Sequence, residues 1–334
     1  MAEGFNKGYA LLIGVGESNY KPLSLPVTVK DTQAIYAALI DPDLCAYPDD
    51  KEHIRVLNNE EATLSTILDG LKWLKEKAEA DPEVTVLVYY SGHGWVDKTD
   101  NRYYLLQHDI DPFDIQGSAL SSEDFTNALR QIQSERLLVV LDCCHAAGMA
   151  TSKDEAAAVP LKLPKGFAEV PPSESKSLID ALKQGTGRVV FTSSKDKQKS
   201  WIKDQSNSIY TYHFLEALQG ADNKPGDTEV RVSNLMHHLG KAVSESAKKL
   251  HNAEQDPWFD MGTEDFAIAK LKGGQGFKGW QEEQSEAKEE IQRIVKNIEQ
   301  HGKYNIVSDK IEGGHIGDVQ TFYGVKPSDW KKEW

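Results

Sequence analysis

Two hydropathy regimes alternate along this chain. Short, nearly unbroken apolar runs lie at 9–15, 53–57, 84–90, 136–142, 188–192 and 265–269. Between them, apolar residues recur every three or four positions, near 29–39, 62–78, 121–133, 175–184, 208–218 and 232–250. The first regime predicts strands and the second predicts helices. Leu137, Leu138, Val139 and Val140 are consecutive rather than alternating, as expected of a strand covered on both faces. Such alternation predicts an α/β fold with a doubly wound, mostly parallel sheet of about six strands.

Three stretches break the pattern. Residues 149–175 are rich in Pro, Ala and charge without sustained periodicity, which predicts a long exposed loop. A second polar loop is expected at 195–207, after the fifth strand. The glycine-rich 273–279 reads as a linker out of the domain. Beyond it, Ile291, Ile294, Val295 and Ile298 follow helical spacing within 282–300. The tail at 304–323 has β-like runs around Gly313-Gly314 and Gly317-Asp318.

Composition narrows the function classes. The 334 residues suffice for one large α/β domain plus a smaller unit. A net charge of −14 argues against a nucleic-acid partner, which would call for a basic patch. It suits attraction of basic substrates, and it equally suits plain solubility. No apolar run reaches the ~20 residues of a membrane span, so no membrane partner is expected. Three cysteines, two of them adjacent, make no disulfide framework and point to a reducing cytoplasm. Cys143, Cys144 and His145 lack the separated spacing of a structural zinc site. Gly14-Val15-Gly16 is not a dinucleotide fingerprint, because Asn19 stands where the third glycine would be.

The chemistry gathers at two strand ends. Ser91-Gly92-His93-Gly94 follows the third apolar run, and Asp142-Cys143-Cys144-His145 ends the fourth. Open α/β sheets bind ligands at the carboxyl ends of their strands. A thiol with a neighbouring histidine base and backbone N–H donors for an oxyanion can cleave an acyl bond. Gly94 and Cys144 are the candidate backbone donors. The pattern predicts a cysteine peptidase site.

These strings resemble the caspase-like peptidases, and most the prokaryotic metacaspase (orthocaspase) branch. There, Ser-Gly-His-Gly after one strand is followed by Asp-x-Cys-His-Ser-Gly after the next. Supporting matches are YALLIG at 9–14 with Asp31 downstream, RYYLLQHD at 102–109, GRVVFTSS at 187–194 and YTYHFLEALQG at 210–220. The resemblance implies a caspase-type α/β/α sandwich, with Cys144 as nucleophile and His93 as its base. It selects Cys144 over Cys143, which is expected to pack as a small hydrophobe, and makes His145 structural. It places Asp31, Ser91 and Asp142 in a specificity pocket for a substrate Arg or Lys, with Asp196 in the loop that completes it. Read alone, Asp31 would be a helix N-cap. Trp201 would shape a neighbouring subsite or pack at the surface.

The resemblance also implies a domain plan. Residues 1–271 form the peptidase domain, with a large-subunit segment at 1–148, a linker at 149–175 and a small-subunit segment at 176–271. Residues 272–334 form an accessory region for a sensor or partner, and the tail is faintly similar to short docking segments of bacterial conflict-system proteins. A β-rich packing extension is the other reading of that tail. Lys153, Lys162, Lys165 and Lys176 are candidate self-cleavage sites for an enzyme that cuts after basic residues. No cofactor is required on this reading. Calcium, used by many metacaspases, would need a denser cluster than Asp97, Asp100, Asp109, Asp111 and Asp114 present in sequence. Protein substrates in bacterial regulated proteolysis, cell death or antiphage defence are the expected partners. Two residues depart from the family: Ala146-Ala147 replaces the Ser-Gly after the Cys-His pair. That departure motivates the alternative of a proteolytically silent adaptor.

Overall fold

The structure, a computed structural model, describes residues 4–96, 102–143, 188–195, 198–203 and 207–271. Its strands are β1 (Gly8–Gly14), β2 (Ile54–Asn58), β3 (Thr85–Val96), β4 (Tyr103–Leu106), β5 (Leu120–Ser121), β6 (Arg136–Cys143), β7 (Arg188–Thr192), β8 (Glu229–Arg231), β9 (Trp258–Met261) and β10 (Ala267–Lys270). The helices are α1 (Val27–Ile40), α2 (Leu64–Ala80), α3 (Ile115–Ser118), α4 (Ser122–Arg130), α5 (Ile209–Leu218) and α6 (Val232–His251). The main sheet runs β2-β1-β3-β6-β7-β9, with β4 and β5 attached to the far end of β3. Its first five strands are parallel and β9 is antiparallel.

Alternate residues of each central strand feed opposite faces. Leu12, Leu87, Tyr89, Leu138 and Val140 join the core beneath α1, α5 and α6. Leu11, Ile13, Val86, Val88, Leu137 and Val139 join the core beneath α2 and α4. Both faces are therefore covered, which is why these strands read as continuous apolar runs. Side-chain caps mark several helix starts: Thr63 Oγ1 accepts from Thr66 N, Ser121 Oγ from Asp124 N, and Ser208 Oγ from Thr211 N.

One expected sheet strand lies elsewhere. The run at 265–269 forms β10, which pairs with β8 in a separate two-stranded sheet. The edge of the main sheet is β9 instead, whose residues are half-buried or exposed and so lack an unbroken apolar signature.

Two glycines set the geometry on which the site depends. A Cβ on Gly14 would stand 2.6 Å from Asn58 Oδ1 and 2.8 Å from the Thr28 carbonyl oxygen, and one on Gly16 2.6 Å from Val29 Cγ2. They admit α1 close against the end of β1, bringing Asp31 within reach of β3. Gly14 and Gly16 thus serve helix packing.

Candidate active site

β3 and β6 run parallel in register up to Ser91 opposite Asp142 and Gly92 opposite Cys143. There β6 reaches its last described residue, while β3 continues and pairs antiparallel with β4, His93 opposite Leu106. Tyr90 Oη donates to the carbonyls of both His93 and Leu106 at 2.9 Å, pinning this crossing. His93 is half-buried. Cys143 is only 1% exposed, and its Sγ lies 3.4 Å from Tyr103 Oη. It packs in the core, as the sequence implied. Cys45, also buried, has its thiol pushed well up by burial.

The strand ends bring Asp31, Ser91 and Asp142 together. Asp31 is fully buried and Asp142 is 4% exposed. Asp31 accepts from Ser91 Oγ at 3.1 Å, and from Asn207 Nδ2 and Ser208 N at 3.0 Å each. Asp142 accepts from Ser200 Oγ at 2.7 Å, Thr211 Oγ1 at 3.1 Å and Ser208 Oγ. Ser208, the N-cap of α5, therefore binds both carboxylates through its backbone N–H and its hydroxyl. Asp31 is not itself a cap: it sits inside α1, whose N-cap is Pro26. Its side chain turns to the sheet because hydroxyl, amide and backbone N–H donors converge there.

These donors are all neutral. The positive end of the α5 dipole offsets some of the charge, yet two acids remain buried side by side. Burial, and then the negative charge of Asp142, push the Asp31 carboxyl up to about 7, against the pull of its three hydrogen bonds. Asn207 Oδ1, buried beside Asp31, has no partner among the described residues. Two carboxylates and a spare carbonyl oxygen make an acceptor-rich, anionic cluster suited to a guanidinium or an ammonium.

Ser200, Asn207, Ser208 and Thr211 were not predicted as site residues. Ser208 three positions before Thr211 is a cap signature, but nothing local shows that the cap faces two acids. Trp201, next to Ser200, is partly buried and stacks on His251 at 4.7 Å between ring centroids. Of the acids weighed for calcium, Asp109 Oδ1 accepts from Leu64 N at 2.9 Å, Asp111 Oδ1 from Phe113 N at 2.9 Å, and Asp114 Oδ1 from Gly117 N at 3.0 Å. Outside the described residues lie Cys144, His145, Ala146-Ala147, Asp97, Asp100 and Asp196. So do Lys153, Lys162, Lys165, Lys176, the helix expected at 175–184, the linker 149–175 and the region 272–334. Among the described residues, no helix is long and apolar enough to cross a membrane.

No curated protein matches the sequence. Among solved structures, a Geobacter sulfurreducens protein is 17% identical, covering 81% of this chain and 99% of its own, with a TM-score of 0.48. Caspase-1 from Spodoptera frugiperda is 14% identical, covering 84% and 94%, with a TM-score of 0.49. The family model for the caspase domain matches residues 7–266, most of the chain. The chain therefore belongs to the caspase domain family and carries a peptidase domain of the cysteine protease type.

Proposed function

We propose that this protein is a cysteine endopeptidase that cleaves after Arg or Lys, with Cys144 as nucleophile and His93 as base. The observation that carries the specificity is the buried Asp31–Ser91–Asp142 cluster at the strand ends. A substrate cation offers the two acids a positive partner that the neutral donors around them do not supply. The register supports the dyad: Gly92 faces Cys143, and His93 and Cys144 are the residues that follow them in the sequence. Cys143, packed into the core, leaves Cys144 as the thiol for chemistry.

In the proposed reaction His93 takes the Cys144 proton and the thiolate attacks the carbonyl carbon after the basic residue. The tetrahedral oxyanion is held by the backbone N–H groups of Gly94 and Cys144. Collapse breaks the C–N bond, and the departing amine takes the proton from His93. Water, losing a proton to His93, then attacks the thioester and releases the acid. The proton returns to the Cys144 sulfur. Asp196 and Trp201 lie in the segment that also supplies Ser200 and Asn207, and would complete the pocket and a neighbouring subsite. Cuts at Lys153, Lys162, Lys165 or Lys176 would separate the large- and small-subunit segments of the domain. Residues 272–334 would receive an activating partner, in a cytoplasmic bacterial pathway of regulated proteolysis, cell death or antiphage defence.

A panel of fluorogenic peptides ending in Arg, Lys, Asp or Asn tests this on the full chain and on Cys144→Ala, with calcium and with chelator. Arg or Lys turnover that disappears in Cys144→Ala is the expected result. Turnover surviving that substitution would refute the nucleophile, and turnover of Asp or Asn peptides the pocket. No turnover, with no labelling of Cys144 by an Arg-bearing electrophile, would leave the silent adaptor that Ala146-Ala147 suggests.

A further inference from the structure

A second buried polar cluster lies on the same helix, where the proposed peptidase chemistry does not use it. His213 and Glu216 are one turn apart on α5, and His238 faces them from α6. The three side chains are only 3–4% exposed. Glu216 Oε2 lies 2.6 Å from His213 Nδ1 and 3.0 Å from His238 Nε2. All three ligand-type atoms fall within 4.8 Å of one another. Among the described residues, Glu216 forms ion pairs with these two imidazoles alone.

We propose that His213, Glu216 and His238 form a binding site for a divalent transition metal, zinc by its ligand chemistry. Two imidazoles and a carboxylate are a recurrent zinc set, with a fourth position left to water. Zinc–ligand bonds of ~2.0–2.1 Å in a tetrahedron put neighbouring ligand atoms ~3.3 Å apart. Seating the ion requires the observed 2.6 and 3.0 Å contacts to open by about 0.7 and 0.3 Å. The spacing of His213 and Glu216 on one helix is the kind that aims two ligands at one point.

Burial lowers the affinity of His213 for a second proton, and the neighbouring His238 and Lys203 add to this against the pull of Glu216. Burial alone would raise the Glu216 carboxyl, but hydrogen bonds from His213 and His238 hold it at about 2. When the metal takes Nδ1 of His213 and Nε2 of His238, each ring exchanges protons with water so that its proton ends on the other ring nitrogen, Nε2 of His213 and Nδ1 of His238. Ser246 Oγ, 2.7 Å from Nε2 of His213, then accepts that proton's hydrogen bond and orients the ring.

The test uses the full chain carrying Cys144→Ala, so that this thiol cannot supply the metal. One equivalent of Zn²⁺ should be retained after desalting. Co²⁺ should give visible d–d bands without thiolate-to-metal charge transfer. Glu216→Gln and His238→Gln, each in that background, should weaken Zn²⁺ binding about 100-fold. Sub-stoichiometric zinc, a thiolate charge-transfer band, or binding unchanged in both variants would each overturn the assignment. Should either variant fail to fold, the cobalt spectrum of the parent decides alone.

Discussion

Helix α5 touches two buried acid clusters, and they behave in opposite ways. At its first turn, Asp31 and Asp142 meet hydroxyls, an amide and a backbone N–H, and the Asp31 carboxyl rises to about 7. Further along, Glu216 is almost as deeply buried, yet its carboxyl falls to about 2 because two imidazoles donate to it. Burial pushes both acids the same way, so the neighbours decide the outcome. The first cluster retains uncompensated charge, and the proposed Arg or Lys pocket rests on this. The second holds its charge satisfied in place, tying α5 to α6.

The sharpest way to break this contrast is Asp31→Asn. Asparagine keeps an acceptor for Asn207 and Ser208 and can donate to Ser91, so the fold should survive. Turnover of Arg peptides (kcat/KM) should drop by about 100-fold or more, since one partner of a buried charge pair is lost. Unchanged turnover would sink the pocket assignment. The same variant should be more stable than the parent at pH 8, by on the order of a few kcal/mol in calorimetry. Because the folded carboxyl is raised, the parent has its full stability below about pH 4. It loses stability as pH rises towards about 7, so the advantage of the variant should vanish at low pH.

Glu216→Gln should show the opposite sign. Its lowered carboxyl stabilises the fold above the ordinary value of 4.5, and that contribution is lost as pH falls to about 2. Urea unfolding in the presence of chelator should show a loss of about 2 kcal/mol at pH 7, narrowing at pH 3. Next in size, KM for Arg peptides should fall by roughly tenfold as pH rises through about 7, because binding a guanidinium requires Asp31 ionised. A flat KM would mean that Asp31 does not face the substrate. Smallest is Ser91→Ala, which removes one of three donors to Asp31. It should raise KM by about threefold to tenfold and shift that pH midpoint upward.

Much of this was legible in the chain itself, and particular residues show why. Leu137–Leu138–Val139–Val140 announced a strand covered on both sides, because such burial leaves no polar position along it. His93 fell at the far end of β3 for the same reason: the apolar run stops just before it. The run at 265–269 looked like its counterparts yet pairs with β8, since local hydropathy reports burial and not which strand is the neighbour. Trp258–Met261, half-buried at the sheet edge, carried too weak a pattern to be read.

The carboxylates mark the boundary most clearly. Sequence alone determined the doubly wound sheet, the strand ends and the residue types gathered there, because periodic burial and glycine-flanked motifs are local signals. Only the tertiary structure decided that Ser208 would bind Asp31 and Asp142 at once, and that His238 would close on His213 and Glu216. The electrostatic fate of a buried acid depends on groups distant in the chain, and only folding sets which of those groups it meets.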